Sequence, residues 1–430
     1  MRGARARTPK GQISSLDQPA MGGVAARRHR PDYIILVLTA LLMVIGLIVV
    51  YSISPGLSNV QHVSQGYFIS KQLIDVGLGV VAFGLASVVP LRRWLAWAKP
   101  LATLAILGSL IVMITPINVA YPAHRWIRLG SFSFQIAELI KLALIIGLAA
   151  FLAGQWHRGK IADARSTLKP FIIVLLVIGL VVAKLQSDLG SAGVMIVIMG
   201  AMAFTVGMPL KKVALISLLI VGVVIIAIAS SGYRRERLAN YLHPGRDCRG
   251  NSYQACQALV AVGSGGVFGL GLGHGVQAYG YLPEASNDSV FAIMAEKFGF
   301  VGSTIIVTIY AVFITRFKKL IERSADQFQR LVLVGVLAWL STQMMINIGS
   351  MLGLLPLKGI TLPLISQGGT SLVFLTAALG IVFQISRYTS YNVQEPKTGP
   401  GIIGPNDQNS LNGRRLRGAY NSSVVTRPRT

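Results

Sequence analysis

The chain has 430 residues, of which 53% are hydrophobic and 13% are charged, and its formal net charge is +25. An ordinary soluble domain is excluded, because it would carry nearly twice this share of charged residues, and the composition is typical of a membrane protein with several spans. The positive residues lie in the tails and in short loops between apolar runs, which indicates membrane insertion and argues against a nucleic-acid partner.

Apolar segments of spanning length recur along the chain, and most approach the roughly 20 residues needed to cross the hydrocarbon core. Ten spans are predicted, at residues 33–51, 69–89, 95–114, 134–154, 170–183, 189–207, 211–230, 290–315, 329–350 and 368–387. The fifth is short, and the polar sequence KLQSDLG separates it from the sixth. The sequence therefore predicts an all-α polytopic membrane protein of about ten helices, with a long extracytoplasmic loop between the seventh and the eighth.

The positive residues alternate between the two sides that this topology defines. The loops after spans two, four, six and eight carry Arg92, Arg93, Arg158, Lys160, Arg165, Lys169, Lys211, Lys212, Arg316, Lys318, Lys319 and Arg323. The other loops are poor in Lys and Arg, apart from the connection between spans three and four and the loop at 231–289. The positive-inside rule then places both termini in the cytoplasm and residues 231–289 outside.

Three regions differ in composition. Residues 1–32 and 388–430 are rich in Gly, Ser, Asn, Pro and Arg and have little to bury, so they are expected to be disordered cytoplasmic tails. Residues 33–387 form the predicted membrane domain. No cleavable signal peptide is expected, because the first apolar run is too long and has no cleavage site.

Motifs for nucleotides and metals are missing from the sequence. The glycine-rich run GSGGVFGLGLGHG, at 263–275, lacks the spacing of a dinucleotide-binding loop, and no zinc-binding pattern occurs. The sequence therefore requires no cofactor, although a divalent cation stays open. The glycine-rich run is interpreted either as an ordinary mobile loop or as a re-entrant segment that lines a cavity.

Several ionisable residues lie within or beside the predicted spans, where they are costly and usually face a cavity or a partner. Glu138 and Lys141 are three residues apart, so they share a helix face and can pair, either as a structural salt bridge or as part of a cavity. Lys184 and Asp188 flank the break between spans five and six.

Glu296 and Lys297 enter span eight as adjacent residues that point in different directions, which favours a structural role for them. Arg125 and Arg128 flank Trp126 at the predicted outer surface. They are candidates for holding a phosphate group, since a guanidinium matches it with two hydrogen bonds. The alternative is an interfacial Trp/Arg anchor in the headgroup layer.

The polar sequence ASNDS, at 285–289, precedes span eight and follows Glu284. Asp288 is therefore a candidate helix cap, because Asp, Asn and Ser are the preferred capping residues. It is also a candidate catalytic acid at the outer surface, and the two roles do not exclude each other. Cys248 and Cys256 lie in the same outer loop, where a disulfide is permitted but free thiols remain the alternative.

Five stretches of the chain together resemble the bacterial SEDS family (shape, elongation, division and sporulation), which includes FtsW and RodA. They are HRWIRLGSFSFQIAELIKLALI (124–145), LQSDLGSA (185–192), YQACQALVAVGSGGVFGLGLG (253–273), YLPEASNDSVFAIMAEKFGFVG (281–302) and LPLKGITLPLISQGGTSL (355–372). They occur in the family's order, and the resemblance covers residues 33–387.

The resemblance implies a peptidoglycan glycosyltransferase of the bacterial cytoplasmic membrane that polymerises lipid II into glycan strands at the outer face. It implies a class B penicillin-binding transpeptidase as a partner, along with other membrane proteins of the division or elongation machinery and the membrane lipids. The family's essential acid corresponds to Asp288, following Pro283 and Glu284, and is interpreted as a general base. The family's Glu and Lys pair corresponds to Glu138 and Lys141, and its PDLG acid to Asp188.

The sequence departs from the family pattern at four of these positions. Ser286 and Asn287 replace the usual His-Thr, Ser187 replaces a proline, and Gln367 stands where Tyr is common. Because the matched charged positions are retained, these changes concern substrate preference and rate more than reaction type.

Two other functions remain as alternatives, a lipid II flippase and a non-enzymatic scaffold for division. The long basic tails lean weakly towards the FtsW-like branch, and the choice between division and elongation stays open.

Overall fold

The structure is a computed structural model, and it describes residues 30–114, 126–129, 132–186, 188–209, 248–250 and 252–388, with isolated residues between 211 and 241. All of these belong to one compact unit, Met1–Ser390. The predicted tails lie almost entirely outside the described residues, and the seventh predicted span, 211–230, lies outside the continuous ranges.

The described part of the chain is built from α-helices, to which we give the labels α1 to α10. They are α1 (Tyr33–Gln61), α2 (Tyr67–Val88), α3 (Leu91–Ile114), α4 (Ile136–His157), α5 (Lys169–Ile178), α6 (Leu189–Thr205), α7 (Tyr253–Ser264), α8 (Val290–Arg323), α9 (Gln327–Met351) and α10 (Thr370–Ser386). Seven helical stretches are long and apolar enough to cross a membrane, and α6 and α10 are shorter apolar helices. The predicted all-α polytopic fold is confirmed.

The ends of the helices differ from the predicted spans, because a helix continues into polar sequence for as long as its backbone bonds are met. Helix α1 continues past residue 51 to Gln61, with Pro55 inside it. Wider π-type turns flank α5, so the fifth span is helical from Ala164 to Leu185 and is not short. The predicted break before the sixth span is real, since Asp188 is the N-cap of α6.

A two-stranded hairpin precedes α4, where the sequence predicted the start of a span at residue 134. Strand β1 (Trp126–Leu129) pairs antiparallel with β2 (Phe132–Gln135), and Trp126 lies opposite Gln135. The alternation in SFSFQ fits a strand better than the first turn of a helix. The hairpin ends directly at α4 and so fixes where that helix begins.

Helix α8 is broken at Gly299, whose φ of +65° lies in the left-handed region that favours glycine. Here the backbone N–H of Phe300 donates to Gly266 O at 2.9 Å, and that of Val301 donates to Val267 O at 3.0 Å. Residues 290–297 are fully buried, and exposed side chains begin at Phe300. The membrane-facing part of the eighth span therefore starts later than the predicted residue 290.

The glycine-rich run 263–275 packs against this break, and two charged residues anchor it. Glu296 Oε1 accepts hydrogen bonds from the backbone N–H groups of Val276 (3.1 Å) and Gln277 (3.4 Å). Lys297 Nζ donates to the His274 carbonyl at 3.2 Å. A side chain on Gly275 would come within 2.7–2.9 Å of the Glu296 carboxyl group. The structure thus supports the structural interpretation of Glu296 and Lys297.

The two ends of the described domain lie on the same side of the molecule. The backbone N–H of Asp32, before α1, donates to Ser386 Oγ at the end of α10, at 3.0 Å. Two of the positively charged loops also meet, because Lys212 Nζ donates to the Ala162 carbonyl at 2.8 Å. These contacts agree with the even number of spans and with the grouping of positive loops that the sequence predicts.

Helices α4 and α9 lie in the centre of the bundle. In α4, 78% of the apolar stretch is buried, and in α9 the buried share is 67%. In α2 and in α8 the buried share is 22%. Trp339, Leu331 and Ile145 have no exposed surface. A polar side chain on an inward face of α4 or α9 therefore has protein and not lipid as its surroundings, and it must find its partners there.

Candidate active site

The turn at 283–289 carries the candidate acid. It is closed from within by backbone bonds, since the N–H groups of Asn287 (3.0 Å) and Ser289 (3.2 Å) both donate to Glu284 O. Asn287 Nδ2 donates to Glu284 Oε2 at 2.5 Å, and Ser289 Oγ donates to Pro283 O at 2.9 Å. Glu284 has φ +51°, so the turn places a non-glycine residue in the left-handed region.

The prediction that Asp288 caps the eighth span is wrong. The N-cap of α8 is Ser289, and its side chain makes no capping hydrogen bond. The Asp288 carboxylate instead faces Gln254 of α7, whose Nε2 lies 3.5 Å from Oδ1 and 3.1 Å from Ser289 Oγ. None of the described side-chain hydrogen bonds joins the carboxylate to the free N–H groups in the first turn of α8. Its charge is therefore not used to stabilise the helix.

Two other elements hold the turn in place through its backbone. Asn347 Nδ2, from α9, donates to Asp288 O at 2.7 Å and to Ile360 O at 2.7 Å. The loop between α9 and α10 adds a bond from the N–H of Gln367 to Ser286 O at 2.9 Å and one from Ser366 Oγ to Asn287 O. The position of Asp288 is thus fixed by main-chain contacts, while its carboxylate contacts the uncharged side chains of Gln254 and Ser289.

The environment of Asp288 favours its protonated form. Burial and the nearby Glu284 raise the pKa of Asp288 to about 7. Hydrogen bonds from its own backbone N–H, from Gln254 and from Ser289 act in the opposite direction and lower this pKa. A carboxyl group with a pKa near neutrality can exchange a proton with a substrate at physiological pH. Among the sequence-predicted site residues, Asp288 thus has the chemistry expected of a general base.

Glu138 and Lys141 form the predicted pair. Lys141 Nζ lies 2.7 Å from Glu138 Oε1, with 2% and 4% of the two side chains exposed. Nζ also donates to Gln343 Oε1 at 3.3 Å and lies 4.9 Å from the centre of the Trp339 ring. The ammonium group is already occupied by a carboxylate, an amide and an aromatic face. The structure therefore favours the structural interpretation of the pair over a free charge in a cavity.

Helix α9 connects this pair to the Asp288 turn. Gln343 and Asn347 are four residues apart, so they lie on one face with a rise of about 6 Å between them. Gln343 Nε2 donates to Thr361 Oγ1 at 3.1 Å and to Ser371 Oγ at 3.3 Å, close to the Ile360 carbonyl that Asn347 binds. The sequence reasoning did not identify Gln343 or Asn347. Two polar residues at helical spacing within a predicted span were the signal.

Asp188 lies apart from the Asp288 turn in the hydrogen-bond network of the described residues. Its carboxylate accepts from the Ser191 backbone N–H at 3.0 Å and from Ser191 Oγ at 2.8 Å, which caps α6. Gln135 Nε2, at the end of β2, also donates to it at 3.3 Å. Asp188 joins the hairpin to α6, and these three bonds give it a structural role.

Three sequence-predicted site residues cannot be placed in the same way. Arg125 lies outside the described residues. Arg128 lies in β1 opposite Ser133, and only its backbone is described. Lys184 lies in the π-type turns after α5, again without a described side chain. The phosphate contacts of Arg125 and Arg128 and the position of Lys184 at a substrate cavity remain predictions.

Asp75 is a buried acid of α2 that the sequence reasoning missed, although a lone aspartate within an apolar span was a signal for it. It is 7% exposed and accepts a hydrogen bond from the N–H of Gly369, the N-cap of α10. Among the described residues, no group of three or more His, Cys, Asp and Glu side chains could hold a metal ion.

Comparisons with known proteins match most of the chain to one family. The family model FTSW_RODA_SPOVE, described as "Cell cycle protein", matches residues 32–391. The chain is 34% identical to the stage V sporulation protein E of Bacillus subtilis over 86% of its length and the whole of that protein. It is also 34% identical to a probable peptidoglycan glycosyltransferase FtsW of Coxiella burnetii, covering 83% of this chain and 96% of that protein.

Solved structures share the fold. A chain from a study described as "Structural coordination of polymerization and crosslinking by a peptidoglycan synthase complex" gives a TM-score of 0.66 at 28% identity, covering 83% of this chain and 98% of that one. The rod shape determining protein RodA of Thermus thermophilus gives a TM-score of 0.61 at 27% identity, covering 84% and 98%.

Proposed function

The chain belongs to the FTSW_RODA_SPOVE family of cell cycle proteins, and from this premise we infer that it is a peptidoglycan glycosyltransferase of a bacterial cytoplasmic membrane. Relatives of similar length carry that activity in their names. We propose that its substrate is lipid II and that Asp288 is the general base. The observation that carries the proposal is a carboxyl group with a pKa of about 7, fixed through its backbone and without a described cationic partner.

The proposed reaction joins two glycan units. Asp288 takes the proton from a sugar hydroxyl of the acceptor, and the hydroxyl oxygen forms a bond to the anomeric carbon of the donor. The bond from that carbon to the diphosphate breaks, and the diphosphate leaves with its lipid. One base suffices for such a displacement. Arg125, Arg128 and Lys184 are proposed to balance the charge of the leaving diphosphate, since cations near developing negative charge lower the barrier.

The proposed orientation places Asp288 at the outer face and both termini in the cytoplasm. The contact of Asp32 with Ser386 supports one common side for the two ends, and the contact of Lys212 with Ala162 supports one common side for two of the positive loops. The positive-inside rule assigns that side to the cytoplasm. A cysteine introduced at Lys160 should resist labelling from outside intact cells, and labelling there would contradict this orientation.

We propose a class B penicillin-binding transpeptidase as the partner, because a structural relative comes from a peptidoglycan synthase complex in which polymerization and crosslinking are coordinated. Other membrane proteins of division or elongation and the surrounding lipids complete the expected partners. No cofactor is part of the proposal. Polymerisation measured with and without a chelator tests the dependence on a divalent cation that the sequence left open.

The deciding experiment uses the purified full-length protein in vesicles with lipid II on the accessible face, alone and with a candidate transpeptidase. Glycan chains on a denaturing gel are the expected result. Movement of the lipid II head group across the bilayer without chain formation would instead make the protein a flippase. Neither product, together with normal growth of cells that carry Asp288→Asn, would make it a scaffold. Both of these outcomes contradict the proposal.

A further inference from the structure

We propose that the disulfide between Cys248 and Cys256 is a positioning element for Asp288. It fixes the first turn of α7, from which Gln254 donates to the carboxylate, and so helps to keep that carboxylate charged at neutral pH. The inference rests on the proposed function in one respect only, the assignment of Asp288 as the base. The contacts that carry it lie in the outer loop and in the turn, and they are independent of the reaction.

The disulfide encloses the residue that contacts Asp288. Cys248 and Cys256 are bonded at a sequence separation of 8, with their Cα atoms 5.6 Å apart. Gln254 lies between them, in the first turn of α7. Inside the same short ring, the N–H of Tyr253 donates to Gly250 O at 3.0 Å, and that of Cys256 donates to Ser252 O at 2.9 Å. The ring therefore limits the positions that the Gln254 backbone can take.

Helix α7 needs such a constraint. It has 12 residues, and its N-cap Ser252 makes no capping hydrogen bond through its side chain. An isolated helix of this length is marginal in water, because the cost of its first turn is barely recovered. A covalent link from its first turn to the preceding loop supplies the order that a cap would otherwise give. At the other end of this contact, the turn that carries Asp288 is already fixed by the hydrogen bond from Asn347.

Gln254 is a donor brought to Asp288 from outside its own turn. Its Nε2 reaches both Asp288 Oδ1 (3.5 Å) and Ser289 Oγ (3.1 Å), so one amide group bridges the acid and the helix N-cap. Ser289 Oγ also lies 3.5 Å from Asp288 Oδ1. A donor to a carboxylate favours the charged form, and its loss favours the protonated form.

Glu284 is the charged group that opposes this effect. Glu284 in the same turn disfavours a second negative charge. Helix α9 contributes the uncharged Asn347, which binds the backbone and not the carboxylate. The loop before α10 contributes Gly359, where a Cβ atom would lie 3.6 Å from Asp288 Oδ2, and its neighbour Lys358, whose own Cβ lies near Gly190. Gln254 is thus one of the few groups that favours the charged form of Asp288.

The test is a two-by-two comparison in the full-length protein. One factor is the disulfide, intact or removed by Cys248→Ser with Cys256→Ser, and the other is Gln254 or Gln254→Ala. Gln257→Ala serves as the matched control, because Gln257 lies on the same helix and takes part in none of the described side-chain hydrogen bonds. The readout is the pH of half-maximal labelling of Asp288 by dicyclohexylcarbodiimide, which reacts with protonated carboxyl groups in apolar surroundings, followed by mass spectrometry.

We expect the labelling midpoint to rise by about half to one pH unit when either factor is removed, which corresponds to a threefold to tenfold change in the ratio of charged to protonated Asp288. Removing both should add nothing further, because the disulfide acts through Gln254. Lipid II polymerisation should fall by the same roughly threefold to tenfold near pH 6.5–7 and recover above about pH 8.5. A purely structural role would lower the rate equally at every pH.

Unchanged midpoints, or shifts that add together, would overturn the inference. If the double Cys→Ser protein does not fold, tris(2-carboxyethyl)phosphine on the folded wild type gives the same comparison, since each phosphine reduces the disulfide to two thiols and becomes the oxide. A wild type that forms no glycan chains would refute the proposed function, while the labelling midpoints would still decide this inference.

Discussion

Two acids are linked to neighbouring turns of α9, Glu138 through Lys141 and Asp288 through its backbone. They differ in the groups that surround their carboxylates. Glu138 lies 2.7 Å from the ammonium group of Lys141, which Gln343 also contacts. Asp288 is held through its carbonyl oxygen by Asn347, and among the described contacts its carboxylate has the uncharged donors Gln254 and Ser289 and a neighbouring acid, Glu284. The same helix thus supports one acid that is paired with a cation and one that has no described cationic partner.

The difference follows from what each acid does. A buried acid with a cation at contact distance has its charge balanced by that cation, so it suits the joining of α4 to α9. An acid in a low-dielectric turn without a cation has a raised pKa and can accept a proton from a substrate. If Asp288 is the base, as proposed above, structural and catalytic carboxylates differ in their partners even where both lie within one network.

The largest expected effect comes from Asp288→Asn. We expect polymerisation to fall by about 10²- to 10⁴-fold, because an amide cannot take the proton of the acceptor hydroxyl. Asp288→Ala should lose as much activity. Neither change should lower the melting temperature by the amount expected for a lost helix cap, because Ser289 and not Asp288 is the N-cap. Glycan synthesis and thermal unfolding of the purified variants provide the measurements.

The control for this prediction is the same substitution at another acid. Asp163 is exposed and caps the turn that follows it, where it accepts from the N–H groups of Arg165 and Ser166. Asp163→Asn should keep activity and stability, since Asn caps about as well as Asp. Near-normal glycan chains from well-folded Asp288→Asn would move the base elsewhere, to Glu284 or Asp188.

The next largest effect concerns Glu138, the acid that is paired with Lys141. Glu138→Ala and Lys141→Ala should each impair function and destabilise the fold by about 3–5 kcal/mol, because each leaves a stranded charge in a buried setting. The double variant should be no worse than the worse single variant. Thermal unfolding in a double-mutant cycle measures this coupling, and additive losses would show that the two side chains do not interact.

An exposed pair on α8 offers the comparison. Lys318 and Glu322 are 3.9 Å apart, with 75% and 60% of their side chains exposed. Removing either one should change the stability by less than about 1 kcal/mol, because solvent screens the pair. A cost as large as that of the buried pair would contradict the role given to burial.

An effect smaller than that of the buried pair is expected in the loop that carries Cys248 and Cys256. Removing the disulfide between Cys248 and Cys256 should lower the free energy of unfolding by about 2–3 kcal/mol, on the loop-entropy relation for a short ring. Glycan synthesis should persist at a reduced rate. Mass spectrometry of protein purified without reductant should show the bonded cysteines, and two free thiols would remove the basis for this prediction.

Much of the membrane domain follows from the sequence, because a span must be apolar over about 20 residues and that requirement is visible in one dimension. The pairing of Glu138 with Lys141 was predictable for a similar reason, since their spacing fixes a shared helix face. The seventh span and the tails remain predictions, as do the contacts of Arg125, Arg128 and Lys184.

The partners of Asp288 could not be predicted in this way. Gln254, Asn347 and Ser366 come from two helices and a loop that are far apart along the chain, and no local pattern joins them. The mistaken cap had a related cause, because Asp288 and Ser289 are both good capping residues and only the path of the turn decides between them. The strands before α4 were hidden by an apolar sequence that a span would also contain.

The most direct test of the account is the pH dependence of lipid II polymerisation by the wild type and by Asp288→Asn. With the pKa of Asp288 at about 7, the wild-type rate should fall about tenfold for each pH unit below that value and level off above it, because only the charged carboxylate acts as a base. The residual rate of Asp288→Asn should show no such limb. A wild-type rate that is flat between about pH 5 and 8, or a variant that keeps the wild-type limb, would contradict the assignment of Asp288 as the base.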